Sequence, residues 1–194
     1  MSFTRRATIG LAALAAACGP MPPPESVTLP PSAMPQGLGE PTRGAILSAA
    51  SGFGNPASVS GDPASAAMIL GHLEYLAVEL ASGMWQDLDG FVVPELRAGR
   101  AEARAAFGFR QDAPPQLAVD SLYGAAAALR ANDRPTATAT LARLTQPGGE
   151  GAALQRLAAM PFLPRAAGAT RRAEQALARR DQDRNQDWVL LRRR

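Results

Sequence analysis

The amino-acid sequence predicts an all-α fold: an irregular antiparallel bundle of five to six helices that follows a disordered, proline-rich tether. Three observations carry that prediction. Apolar residues make up 46% of the chain but aromatics only 5%, and alanine recurs throughout, which suits closely packed helices better than an aromatic-rich sandwich. Apolar positions recur three and four apart over long stretches after residue 62, the spacing of one helix face. No stretch sustains the alternation and the Val/Ile/Thr enrichment of a strand, and Phe91-Val92-Val93 is too short to change the class. At 194 residues the chain has room for one core-bearing domain and its appendages.

The first element is a leader. Arg5 and Arg6 precede a nine-residue apolar run, Ile9 to Ala17, whereas a helix crossing a bilayer needs roughly 20 such residues. A charged start, a short apolar run and small residues before a cut site are the layout of a removable secretory signal. The run Leu14-Ala15-Ala16-Ala17-Cys18-Gly19 ends on the only cysteine of the chain and resembles the lipobox of bacterial lipoproteins, with Ala15 standing where that family prefers leucine. The resemblance covers about the first 20 residues. It implies diacylglycerol on the Cys18 thiol, cleavage just before it, acylation of the new amino group and attachment to a membrane through that lipid. Glycine rather than aspartate at position 19 implies sorting to the outer membrane, facing the periplasm. Arg5-Arg6 also matches the arginine pair of a twin-arginine export signal.

The second element is a spacer. Residues 19 to 41 hold eight prolines in 23 positions, a density that neither a helix nor a central strand accommodates, because proline lacks the amide donor and restricts its predecessor. In polyproline II form, at about 3.1 Å per residue, such a segment holds a domain up to roughly 70 Å from a bilayer. The expected division is therefore a signal peptide over 1–17, a lipidated cysteine and flexible tether over 18–41, and a helical domain with a basic C-terminal helix and tail over 42–194. With one cysteine there is no intramolecular disulfide, and stability must come from packing.

The helices follow in order. Thr42 caps a short apolar segment, Ala45 to Ala50, which ends in the breaker-rich SGFGNPASVSG. Asp62 as N-cap with Pro63 at the first helical position opens a helix to about Ser82, its Ile69, Leu70, Leu73, Leu76, Ala77 and Leu80 forming one stripe. Pro94 and Glu95 start the next, which stops at Gly108. Asp112 with Pro114 and Pro115 opens another that ends at Asn132, and Asp133 with Pro135 a further one to about Leu144. Glu150 to Met160 is short, MPFLP is a connector, and the last helix runs from about Ala166 to Arg184 before the tail QDWVLLRRR. There is no 34-residue self-similarity of a tetratricopeptide solenoid.

Charge and residue usage exclude several chemistries. All 20 basic residues are arginines, which rules out a lysine Schiff base, a pyridoxal-phosphate lysine and the lysine of a P-loop. Without the leader 18 arginines face 17 carboxylates, too small an excess for a nucleic-acid binder, so no nucleic acid is expected as a partner. There is no GxSxG elbow. HLEYL is not HExxH, and WQDLDG lacks the remaining oxygen ligands of a calcium loop. Neither metal nor cofactor is expected. Glu74, Glu79, Glu95 and Asp120 are available as paired carboxylates for hydrolysis, but every soluble domain carries such residues.

Two groups remain as candidate sites. Met68, His72, Tyr75 and Glu79 share one helix face through steps of four, three and four and form a candidate polar or ligand-lining cluster, on what is expected to be a partly exposed flank. Arg171, Arg172, Arg179 and Arg180 belong to a C-terminal region, residues 165 to 194, where nine arginines face four acids; they are candidate contacts for an anionic partner or lipid head groups. Trp188 to Leu191 are expected to tuck the tail onto the bundle. The functional expectation is a lipid-anchored envelope protein, a non-catalytic binding or assembly module engaging another envelope component. The alternatives are an envelope hydrolase using carboxylates near His72, or a small-ligand carrier with its pocket there.

Overall fold

The structure, a computed structural model, describes residues 25–30 and 40–191, the side chains of 187–191 excepted. The leader, Cys18 and most of the proline-rich stretch lie outside the described residues, as do Arg192 to Arg194. What is described is the all-α bundle the sequence predicts, with seven α-helices among the described residues: α1 (Pro41–Gly54), α2 (Pro63–Glu79), α3 (Val92–Phe107), α4 (Pro115–Arg130), α5 (Arg134–Ala142), α6 (Glu150–Ala158) and α7 (Pro164–Leu191). Short 3-10 turns at Pro56–Val59 and Gly83–Trp85 connect the first pairs. The count exceeds five to six because the segment expected over Ala45 to Ala50 is a full helix of 14 residues, begun by Pro41 at its first position, where the missing amide costs nothing.

Local chemistry explains the boundaries. The Asp62 carboxylate accepts hydrogen bonds from the Ser65 amide at 3.0 Å and the Ser65 hydroxyl at 2.6 Å, and these hold its pKa below the ordinary value. Asp133 caps α5 in the same way, accepting from the Thr136 amide at 3.0 Å. Gly108, at φ 73°, and Asn132, at φ 58°, take the left-handed conformation at the ends of α3 and α4. Beyond them the amides of Phe109 and Asp133 turn back onto the carbonyls of Arg104 and Ala128, each at 2.8 Å, the closing bonds that favour glycine or asparagine at this point.

α2 is the central element, packed against α1, α3, α4 and α6. Thirteen of its 17 residues are buried, so the single stripe read from the sequence understates it: a helix covered on several sides is apolar almost all round. Close approach depends on glycine. A Cβ at Gly71 would lie 2.9 Å from the Tyr123 ring, and one at Gly99 of α3 would lie 2.9 Å from the Ala166 Cα of α7.

Two expectations need correction. The last helix does not stop at Arg184 but continues to Leu191, because residues 185–191 contain neither proline nor glycine to break it; the side chains expected to fold back, Trp188 to Leu191, lie outside the described ones. The tether is also not free over its whole length. Glu25–Pro30 lies on the bundle outside any helix, with the alternate residues Val27 and Leu29 buried in the same core cluster as the helices. Alternate side chains of an extended segment point to one face, and Ser26 to Leu29 is a proline-free interval that leaves its amides available. The Gln116 carboxamide grips the main chain of Thr28 at both ends, accepting from its amide at 2.8 Å and donating to its carbonyl at 3.1 Å. Arg100 reaches Glu25 at 3.3 Å.

Candidate functional site: the arginine-lined face of α3 and α7

α3 and α7 run antiparallel. Contacts descend one helix as they climb the other: the Glu102 carboxylate accepts from the Ala166 amide at 3.0 Å, Glu95 accepts from Arg172 Nε at 2.8 Å, and Asp89 accepts from Arg179 at 3.3 Å. Gly99 lets the two backbones meet, and beside the seam the surface opens into two grooves. The first, about 540 Å³, is lined by Glu95 and Ala98 of α3 and by Arg165, Gly168, Arg171, Arg172 and Gln175 of α7, with Pro164 at its end. The second, about 580 Å³, lies further along α7, between Asp87 to Asp89 and the residues Arg179, Arg180, Asp183 and Arg184.

The grooves differ in charge. In the first, three arginines face one carboxylate, and Arg165 and Arg171 are exposed and make no ion pair among the described residues. In the second, three arginines face Asp87, Asp89 and Asp183, so the groove is balanced. Asp89 holds its charge well: the Phe91 amide, then Arg172 and Arg179, keep its carboxyl below the usual range. The pairing with Glu95 pushes Arg172 further up.

The four arginines singled out from the sequence therefore divide. Arg171 and Arg172 line the charged groove; Arg179 and Arg180 line the balanced one. Arg180 is turned inward, its guanidinium 4.7 Å from the centre of the buried Trp85 ring and its Nη1 buried without a hydrogen-bond partner among the described residues, an arrangement in which the ring face takes part of the charge. Two exposed aromatics neighbour residues that line the charged groove. Phe91, 69% exposed, lies under Arg172 with its ring centre 5.9 Å from the guanidinium, and Phe162, 65% exposed, sits two residues before Pro164. Arg165, Phe91 and Phe162 were not singled out from the sequence. The only local signal for Phe162 and Arg165 is the apolar pair between the prolines of MPFLP and the arginine that follows it; Phe91 has none.

The cluster of Met68, His72, Tyr75 and Glu79 does not converge. Met68 is partly buried and its sulfur accepts from Arg130 at 3.3 Å. His72 is buried, edge-on to Tyr123 with ring centres 5.8 Å apart, and burial pushes its pKa down to about 4. The flank expected to be partly exposed is covered because α2 is enclosed by four other helices. The Tyr75 hydroxyl pairs instead with Thr42 of α1 at 2.8 Å. Glu79 stays partly exposed, its pKa raised by burial and by Glu40. No hydrogen bond joins these four among the described residues, and neither groove includes any of them. Of the candidate carboxylates, Glu74 is engaged by Arg104 and Glu95 by Arg172, while Asp120 accepts from Gln116 at 2.8 Å.

Compared with family models, curated proteins and solved structures, the chain finds no match in any of the three.

Proposed function

We propose that the chain is a lipid-anchored, non-catalytic binding or assembly module of a bacterial envelope, exported by its leader, tied to the membrane through Cys18 and engaging another envelope component through the α3–α7 face. The observation that carries this reading is the charged groove: Arg165 and Arg171 stand exposed on one rigid helix beside the paired Arg172. Cations left without a local partner on an ordered scaffold suit an anionic partner, since little ordering has to be paid at the moment of contact. The lipobox-like sequence supports the anchor, and the charge excess of the C-terminal region supports the polarity of the face.

Two measurements test the parts separately. Mass analysis of the mature amino terminus and fractionation of cells making Cys18→Ser address the anchor, with uncut precursor and loss from the membrane fraction as the expected result. A photoreactive group at position 171, in native envelopes, addresses the face. Adducts, to protein or to lipid, that disappear with Arg165→Glu support it, and labelling that ignores the charge reversal removes it.

A further inference from the structure

We infer that the component engaged by the α3–α7 face is the anionic bilayer surface itself, against which the docked segment Glu25–Pro30 holds the bundle. The inference rests on the lipid anchor proposed at Cys18 and names what the face meets. Two independent features carry it: the length of leash left by the docked segment, and the chemistry of the surface within its reach.

The leash is short. Seven residue steps separate Cys18 from Glu25, which is about 25 Å at full extension. Were the segment free up to Glu40, 22 steps would separate anchor and body, or about 75 Å. Gln116 and Arg100, with the burial of Val27 and Leu29, fix the nearer point. Arg100 belongs to α3, the same helix that supplies Glu95 and Ala98 to the charged groove. A helix with its side chains is about 10–12 Å across, so a leash of this length passes round α3 to its groove side; what sets that side apart from α5, which packs on the α4 that carries Gln116, is the chemistry of the surface.

The surface within that reach has the make-up of an interfacial contact. Arg165 and Arg171 supply cationic heads, and two exposed rings lie next to lining residues, Phe91 beneath Arg172 and Phe162 two residues before Pro164. Basic side chains meet acidic head groups while aromatic rings settle at the head-group level. Each contact is weak alone, and stable residence takes a second signal. The acyl chains supply it, and the short leash keeps the face at high local concentration beside the lipid.

The experiment uses the full chain, acylated and as Cys18→Ser, on vesicles of phosphatidylethanolamine and phosphatidylglycerol and on vesicles of phosphatidylcholine alone. Single thiols at the exposed positions Phe162→Cys, Phe91→Cys and, as a control on α5, Ala139→Cys carry an environment-sensitive fluorophore; lipid-borne quenchers report depth, and circular dichroism confirms the fold. The expected result is quenching at 162 and 91 but not at 139, on the anionic vesicles, cut at least about threefold by Arg165→Glu with Arg171→Glu. Quenching that is equal at all three positions, or absent at 162 and 91, overturns the inference; in the latter case the face is open to a protein partner. Because acylation is read separately by mass, loss of the anchor and loss of the face give different results.

Discussion

Arg104 of α3 and Glu74 of α2 form a buried two-point ion pair, with Nε and Nη2 of the guanidinium each 2.7 Å from a carboxylate oxygen and the two side chains only 4% and 5% exposed. The remaining Nη1 donates to the carbonyls of Gln111 at 2.8 Å and Ala113 at 2.9 Å. One side chain thus ties the central helix, α3 and the loop leading into α4.

Removing one partner strands the other charge away from water. Glu74→Leu is expected to cost about 3–5 kcal/mol, read as a drop in the urea midpoint. Adding Arg104→Met should recover part of that loss, and only part, because the two loop carbonyls then lose their donor. A double variant no more stable than the single one would show that the stranded charge is not the origin.

His72 makes stability depend on pH. Its Nδ1 is buried without a hydrogen-bond partner among the described residues, and burial lowers its pKa from 6.5 to about 4. As pH falls through 6.5 the unfolded chain takes up a proton that the folded chain refuses until about pH 4. Stability is therefore complete above the higher value and lost progressively below it, by about 3 kcal/mol once both states are protonated. His72→Phe should flatten the fall in urea midpoint between neutral pH and about pH 5. Parallel profiles for the two proteins would assign the effect to other groups.

Gln116→Ala removes both main-chain contacts to Thr28. Amide exchange and proteolysis over residues 25–30 should rise sharply while the helices keep their protection, with a global loss of about 1–2 kcal/mol. Unchanged protection of Thr28 would mean that burial of Val27 and Leu29 alone holds the segment.

Gly99→Val tests the seam beneath the charged groove. Its side chain would press on the Ala166 backbone, since even a Cβ there lies 2.9 Å from the Ala166 Cα. A loss of about 1–3 kcal/mol is expected, with faster exchange along α7. A neutral result would mean that the helices separate at no cost.

Much of the architecture was readable because it is written locally. Asp62-Pro63 and Asp133 announce helix starts, and Gly108 and Asn132 announce ends, each through its own backbone chemistry. The site was less readable because it depends on which helices become neighbours. Nothing around His72 shows that α2 is enclosed, nothing near Glu74 identifies Arg104 as its partner, and Arg179 and Arg180, adjacent in the chain, point to different fates only once Asp89 and Trp85 are placed beside α7. Val27 and Leu29 were obscured by the prolines around them, whose average composition hides the five proline-free residues from Glu25 to Leu29.

The grip on Thr28 has a consequence for how that segment can vary. Gln116 holds the peptide group, while the Thr28 side chain is exposed between two buried neighbours and adds only a long 3.4 Å hydroxyl contact to the same carboxamide oxygen. The identity of residue 28 is thus nearly free, but the count of residues is not. A single insertion or deletion there would put one of the two apolar side chains into water and a polar one into the core, so the clasp tolerates changes of spelling and rejects changes of metre.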